Sequence, residues 1–344
     1  MLKIDRTLSV APMMNWTDRH CRFFHRILSK QALLYTEMIN ANAIVKGDRK
    51  QLLRFDPKEH PVALQIGGSD PKILGEATKI GADFGYDEIN LNVGCPSDRV
   101  QSGFFGAILM KKPDLVAHCI SEMKKQSGKC HISIKCRLGV DDQNPSLDLP
   151  IFLQKVIESG VDSIIIHARK ALLGELSPKQ NRDIPRLDYN LVKSMTKKFP
   201  DVDICLNGGI TNLSTAAELI NDGMAGVMIG RAAYNDPRNI LLPADEKIFK
   251  QKTQQISMPE ALEIFCSYID DQMVEGTSFR NITKHLLGAF NGLPGARSFR
   301  RIITEGSNNH LANSKLLTEA TNVIEELKKI SVGHPRGSRN VGLI

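Results

Sequence analysis

Asn90-Leu91-Asn92-Val93-Gly94-Cys95-Pro96-Ser97 is the stretch of this chain whose residue types are best suited to chemistry. An apolar strand runs into a Gly-Cys-Pro turn, which lifts one thiol off the strand end between polar amides. Parallel-sheet enzymes carry their reagents where strands end, so Cys95 reads as a reagent and not as packing. Cys136 is a weaker rival, because strand alternation turns it away from Lys135.

Other polar groups recur at the ends of apolar runs. Lys135 follows Ile132 and Ile134, and His167 ends Ile164-Ile165-Ile166 beside Arg169 and Lys170. A lysine in such a place is costly unless it meets an anion. Asn207-Gly208-Gly209 and Gly230-Arg231 supply backbone N–H groups without side-chain obstruction, plus a guanidinium, which is a phosphate-binding composition. Gln65 offers an amide to a ring edge. Met13 and Met14 read mainly as packing that can lie against a ring face. A flat heteroaromatic cofactor carrying a phosphate satisfies most of these groups at once.

These residues need a scaffold that brings strand ends together. Short β-branched or apolar runs lie at Leu8 to Met13, Leu33 to Thr36, Val62 to Ile66, Glu88 to Val93, Ile132 to Arg137, Ser163 to His167, Asp203 to Asn207 and Gly226 to Gly230. The segments between them are mostly long enough for crossover helices, with start signals such as Ser69-Asp70-Pro71 and Ser214. The fold class expected is therefore α/β, a (β/α)8 TIM barrel over residues 1–240. A doubly wound sheet fits less well, since no G-x-G-x-x-G follows the first strand.

After the barrel the pattern changes. Residues 241–259, with Pro243 and Pro259, read as a linker. Residues 260–330 have helical spacing and no strand signal, which predicts a small all-helical domain, and residues 331–344 read as a disordered tail.

Composition excludes several classes. No apolar run among the 344 residues approaches the roughly 18 to 20 needed to cross a bilayer, and the first residues lack a signal peptide's apolar segment, so a cytoplasmic protein is expected. The 7 cysteines are scattered without a C-x-x-C pair or zinc spacing, which predicts reduced thiols and no structural metal. The net charge of +7 favours a polyanionic partner. From Gly276 to Thr304 there is no acid, while Arg280, Lys284, Arg297, Arg300 and Arg301 stand among Phe279, Phe290 and Phe299, a composition that suits phosphates and stacked bases.

Together these residues carry a resemblance. Ala11-Pro12-Met13-Met14-Asn15-Trp16-Thr17-Asp18-Arg19-His20-Cys21-Arg22, the Cys95 segment, His167-Ala168-Arg169-Lys170-Ala171, Leu176-Ser177-Pro178-Lys179-Gln180-Asn181-Arg182 and Leu293-Pro294-Gly295-Ala296-Arg297 resemble the tRNA-dihydrouridine synthases, the later segments its A-type branch. The resemblance spans about residues 5 to 325. It implies an FMN-bearing barrel with a helical tRNA-binding domain. It further implies an oxidoreductase in which NADPH reduces FMN, hydride passes to C6 of a uracil, and a cysteine protonates C5.

The match places that cysteine at Cys95 and a uracil-holding residue at Asn92. It gives the FMN contacts as Pro12, Met13, Gln65, Lys135, His167, Asn207, Gly208, Gly209, Gly230 and Arg231, with Met14 beside them. It assigns tRNA orientation to Lys179, Arg182, Arg297 and Arg300. The target uracil must leave the tRNA stack to reach the cofactor. As an acid, Cys95 has to keep its proton, unlike a nucleophilic cysteine. The A-type match implies uridines 20 and 20a of the D-loop as targets, and a monomer is expected. Asn15 stands where an aspartate is usual in the family, and Leu172 where a tryptophan is frequent.

Three other readings remain at this level. An FMN barrel reducing a small molecule, like a dihydroorotate dehydrogenase, shares the cysteine, lysine and phosphate turns but does not need residues 260–330. An aldolase with Lys135 as its Schiff base binds no flavin. A non-catalytic RNA-binding protein leaves the polar rim of the barrel unexplained.

Overall fold

The computed structural model describes residues 4–97, 103–252, 256–309 and 311–333, with side chains described as far as residue 327. Eight parallel strands close into a barrel in chain order: β1 Leu8–Val10, β2 Leu33–Asn40, β3 Val62–Gly67, β4 Glu88–Asn92, β5 His131–Arg137, β6 Ser163–His167, β7 Asp203–Asn207 and β8 Gly226–Ile229. Solved TIM-barrel geometry places ligands at the carboxyl ends of such strands. The expected strand β1 ends early, at Val10, because the Met13 carbonyl accepts from Trp16 and Thr17 N–H and turns the chain.

Crossover helices start on the caps their sequences offer. The Asp70 side chain accepts from Lys72 and Ile73 N–H with Pro71 at the first helical position, and Asn144 caps Pro145–Glu158 in the same way. The cap expected at Ser214 is instead Asn212, whose Oδ1 accepts from Thr215 N–H at 2.8 Å. An Asn at that position reaches the third helical N–H, and Ser214 falls inside the helix Leu213–Asn221.

Alternation along the strands sorts side chains into two layers. Leu64, Ile66, Ile89, Leu91, Ile132, Ile134, Ile164, Ile166 and Leu206 face the helices in one continuous core. Fully burying each such side chain contributes roughly 1.5–3 kcal/mol, so this outer layer carries the stability of the barrel. Inside the barrel, Leu33, Tyr35, Ala63, Ile165, Cys205 and Met228 form a smaller apolar cluster. Strand β4, which reads as apolar, is so only outward: Glu88, Asn90 and Asn92 all face the interior and are buried.

The C-terminal helices Met258–Val274, Phe279–Thr283, Ala296–Gly306 and Ser314–Gly333 follow. They share the outer core with the barrel. Phe23 of helix Arg19–Leu28 stacks on Tyr268 at 3.9 Å, and Phe24 lies 5.4 Å from Phe265. The Asp18 carboxylate meets His285 Nε2 at 2.9 Å and Lys284 Nζ at 3.1 Å, and Trp16 stacks on Tyr234 at 4.4 Å.

The stretch 241–259, expected as a linker, is folded over its described part. Leu241, Ala244 and Ile248 are buried, and the Asp245 carboxylate accepts from Ser29 Oγ at 2.5 Å and Lys30 N–H at 2.7 Å. Its prolines sit at helix starts instead of opening the chain. The last helix also runs three residues past the expected start of the tail, to Gly333, and residues 334–344 lie outside the described residues. Among the described residues no helix is long and apolar enough to cross a membrane.

Candidate active site

Strand register brings the expected residues to one rim. Gln65 pairs with Asn90, Asn92 with Lys135, Arg137 with His167, and His167 with Asn207. Cys95 stands just beyond β4, half-buried, with Sγ 3.5 Å from Ser97 Oγ. Asn92 and Cys95 are three residues apart, so alternation alone does not face them together. The turn does: Asn92 Oδ1 accepts from Gly94 N–H at 3.1 Å and from Cys95 N–H at 2.9 Å. Asn92 is therefore both a strand residue and the cap of the cysteine turn. Cys136 is fully buried on the outer face, where burial pushes its thiol up to about 12, which removes it as a rival.

A ring of cations surrounds this thiol. Lys135 is half-buried, and burial followed by the neighbouring Arg137 pushes its ammonium down to about 8. Arg137 is buried, and burial pushes it down to about 10, with Arg182 and Arg169 acting in the same direction. Arg182 is lowered by partial desolvation and then by Arg231. His167 is held well below the usual imidazole range by burial, then by Arg137, Lys135, Arg169 and Arg182. The imidazole is therefore neutral at pH 7. Like charges that depress one another in this way suit the binding of an anion.

The phosphate turns have the backbone that the sequence suggests. Gly208 and Gly209 have φ of +114° and +71°, where a side chain is strained. A Cβ at Gly208 would stand 3.2 Å from His167 Nε2, and one at Gly209 would stand 2.5 Å from Leu187 Cδ1. Tyr189 Oη donates to the Gly208 carbonyl at 2.6 Å, which braces the turn from behind. Gly230 opens the helix Arg231–Asn235, and a Cβ there would lie 3.6 Å from Met13 Sδ.

Several expected contacts are modified by partners within the chain. Asn207 Nδ2 donates to the Met228 carbonyl at 2.8 Å, which leaves its second N–H and its carbonyl oxygen for a ligand. Arg231 pairs with Asp183 at 2.7 Å in an exposed bridge, which is weak enough to yield to a phosphate. Pro12 and Met13 are half-buried at the mouth, while Met14 is 55% exposed and stands further out. Lys179 and Arg182 lie on the loop outside β6, both exposed. Arg297 is exposed and Arg300 half-exposed on the helix Ala296–Gly306, and among the described residues no hydrogen bond or ion pair joins them to the rim.

The residues fit an anionic flat cofactor on two further observations. His167 Nδ1 and Arg169 Nε are buried without a hydrogen-bond partner, and buried polar groups of that kind are rarely left so. Both belong to the strand end that faces the glycine turns. A phosphate-bearing flavin would offer a phosphate to the turns and carbonyl and nitrogen edges to Gln65, Lys135 and these unpartnered atoms. Among the described residues no group of His, Cys, Asp and Glu has a metal-holding arrangement.

Three site residues escaped sequence reasoning. Arg137 ties loops together through main-chain carbonyls far away in sequence, which leaves no local signal. Asn181 is buried, and its amide holds the Leu172 N–H and the Leu172 and Leu176 carbonyls, so Leu172 is fixed through its backbone. Asn90 was visible as a polar residue in a strand expected to be wholly buried. Asn15 takes φ of +64°, a left-handed conformation that asparagine tolerates better than most residues, and its N–H donates to Glu37.

A family model described as "Dihydrouridine synthase (Dus)" matches residues 9–325. A relative from Xanthomonas axonopodis named tRNA-dihydrouridine(20/20a) synthase is 45% identical, over 91% of this chain and 92% of its own length. A relative of the same name from Synechocystis is 47% identical, over 91% of this chain and 93% of its own. One from Yersinia pestis, again of that name, is 45% identical over 94% and 93%. Among solved structures, the old yellow enzyme homologue of Zymomonas mobilis is similar with a TM-score of 0.52 at 11% identity, over 73% of this chain and 90% of that one. A 2-naphthoyl-CoA reductase complex is similar with a TM-score of 0.53 at 10% identity, over 73% of this chain and 52% of that one. At such identity the likeness is one of fold.

Proposed function

This chain belongs to the dihydrouridine synthase family, and from that premise we propose that it reduces the C5–C6 double bond of uridines 20 and 20a in the D-loop of tRNA. The family implies a flavin and a nicotinamide reductant, here FMN and NADPH. The observation that carries the reading is Cys95, held by the Asn92 amide at a rim where Lys135, Arg137 and Arg182 stand together. When bound, the flavin supplies the reducing equivalent that C6 of the uracil receives.

The chain's own residues do the rest. Lys135, His167 and the Gly208-Gly209 turn bind and orient the cofactor, with Gly230 and Arg231 at its phosphate. Gln65 reaches its ring edge. Pro12, Met13 and Met14 wall the mouth and exclude water. Cys95 Sγ gives its proton to C5, and solvent restores that proton afterwards. Asn92 and Arg182 hold the uracil at the thiol, while Lys179, Arg297 and Arg300 hold tRNA phosphates.

The flipped uracil enters from the side on which the basic loop stands. The helical region and its arginines favour an RNA over a small molecule as substrate, because a small molecule leaves them without a task. Mass-spectrometric mapping of dihydrouridine in tRNA from cells with and without the protein tests the reading. Loss of the modification at positions 20 and 20a is expected. Unchanged tRNA, or purified protein that is colourless and cannot be loaded with FMN, refutes it.

A further inference from the structure

The barrel interior is divided. Its apolar cluster lies on one side, and on the side of β3, β4 and β5 a column of polar side chains climbs from the floor to Cys95. At the floor, Glu88 Oε2 accepts from Arg6 Nη2 at 2.6 Å, and Glu88 Oε1 accepts from Tyr35 Oη and Ser133 Oγ. Ser133 Oγ accepts from Asn90 Nδ2 at 2.7 Å, and Asn90 Oδ1 accepts from Gln65 Nε2 at 2.7 Å. Gln65 Oε1 accepts from Asn92 Nδ2 at 2.8 Å, and Asn92 Oδ1 accepts from the Gly94 and Cys95 N–H groups.

Both ends of this chain have a fixed polarity. A carboxylate paired with arginine only accepts, and a backbone N–H only donates. Every amide between them is therefore held in one of its two orientations, and reversing any one sets donor against donor or acceptor against acceptor. With one N–H of Gln65 and one of Asn92 spent downward, each keeps a second N–H for a further acceptor. The column thus presents donors to the site, which suits ring carbonyls and rejects ring amines.

We propose that Glu88 and Ser133 are positioning residues for the reaction: through Asn90 and Gln65 they fix the Asn92 amide, and so the seat of the Cys95 thiol and the donors offered to a carbonyl-bearing ring. The inference rests on the proposed uracil reduction, which it deepens by naming how the site is kept in one hydrogen-bonding state. Neither residue touches substrate. They act from the barrel floor through groups that do.

Ser133→Ala cuts the column without removing Arg6, Tyr35 or Glu88. Two measurements follow: the alkylation rate of Cys95 in cofactor-free protein, read by peptide mass spectrometry against Cys266, and kcat and KM of the FMN-loaded enzyme on tRNA. The expected result is a Cys95 rate raised about fivefold, the factor one buried hydrogen bond carries. It is joined by a comparable fall in kcat at unchanged KM, and Ser133→Thr restores both. If the alanine variant does not fold, Ser133→Cys fills the same volume with a poor hydrogen-bonding group and is read the same way. A wild-type Cys95 rate and kcat in the cut variant, or failure of threonine to rescue, overturns the proposal. The alkylation arm needs no turnover, so it stands or falls apart from the assignment of substrate.

Discussion

Arg137 Nε donates to the Gly94 carbonyl at 2.9 Å, directly behind the turn that carries Cys95. The same guanidinium donates through Nη1 to the Lys170 carbonyl at 3.2 Å and the Asn181 carbonyl at 2.9 Å. One buried cation therefore ties the cysteine turn to the loop that carries Lys179 and Arg182. Arg137→Met strands three carbonyls. It is expected to cost about 2–4 kcal/mol in a denaturant melt and to lower kcat more than any surface arginine change does. A melt and kcat like those of the wild type would show that the clamp is dispensable.

Cys95→Ala removes the proposed proton donor and leaves the cation ring and glycine turns untouched. Flavin and tRNA should bind as in the wild type, with dihydrouridine formation reduced by at least about a hundredfold, the lower range for loss of a positioned acid. Turnover at the normal rate would remove Cys95 from the mechanism.

Lys135 gives a pH signature. Below about 8 its ammonium is charged in the folded and the unfolded chain alike. Between about 8 and its ordinary value of 10.5 only the unfolded chain keeps the proton, so the ligand-free protein gains stability as pH rises through that window. An anionic cofactor selects the charged form, so FMN affinity should fall above pH 8, by up to about tenfold per unit. Fluorescence titration of FMN from pH 7 to 10 reads this directly. Lys135→Met should bind more weakly and flatten the curve, whereas a flat curve for the wild type contradicts the assignment.

Asp18 caps the helix Arg19–Leu28 and also receives His285 and Lys284 from the C-terminal helices. Burial raises its carboxyl, but the His285 hydrogen bond and charge, the Cys21 N–H and Lys284 outweigh it and hold the group below the usual carboxylate range. Its contribution is present above the ordinary value of 3.8 and is lost as pH falls below it. Asp18→Asn should therefore lower Tm at pH 7 and lose less on acidification than the wild type. Parallel Tm-against-pH curves for the two proteins would argue against this coupling.

Arg297→Ala with Arg300→Ala tests the basic helix. Removing two proposed phosphate contacts should weaken tRNA binding and make the log–log salt slope shallower by about 1.4–1.8. Filter binding across a salt series measures it, and an unchanged slope places the RNA elsewhere.

The strands were readable because each outward face is a run of apolar side chains, as in Ile132, Ile134 and Cys136 or Ile164 and Ile166. The rim followed from the polar residue that ends each run, Gln65, Lys135, His167 and Asn207. Partners that meet only through closure of the barrel were not readable. Nothing local in the sequence says that Arg137 reaches Asn181, that Asn207 gives one amide N–H to Met228, or that Asp245 sits under Ser29. The expected linker misled for a related reason, because its prolines and charges have the composition of an open segment and serve here as helix starts and buried caps.

The stacking of Phe23 on Tyr268 and the contact of Phe24 with Phe265 give the barrel and the C-terminal helices a common core. Among the described residues this packing joins the barrel that carries Cys95 to the helices that carry Arg297 and Arg300, so their separation is set by side-chain packing. An RNA gripped at the basic helix would therefore be measured as by a caliper: the nucleotide that reaches the thiol is the one whose distance along the folded RNA equals that span.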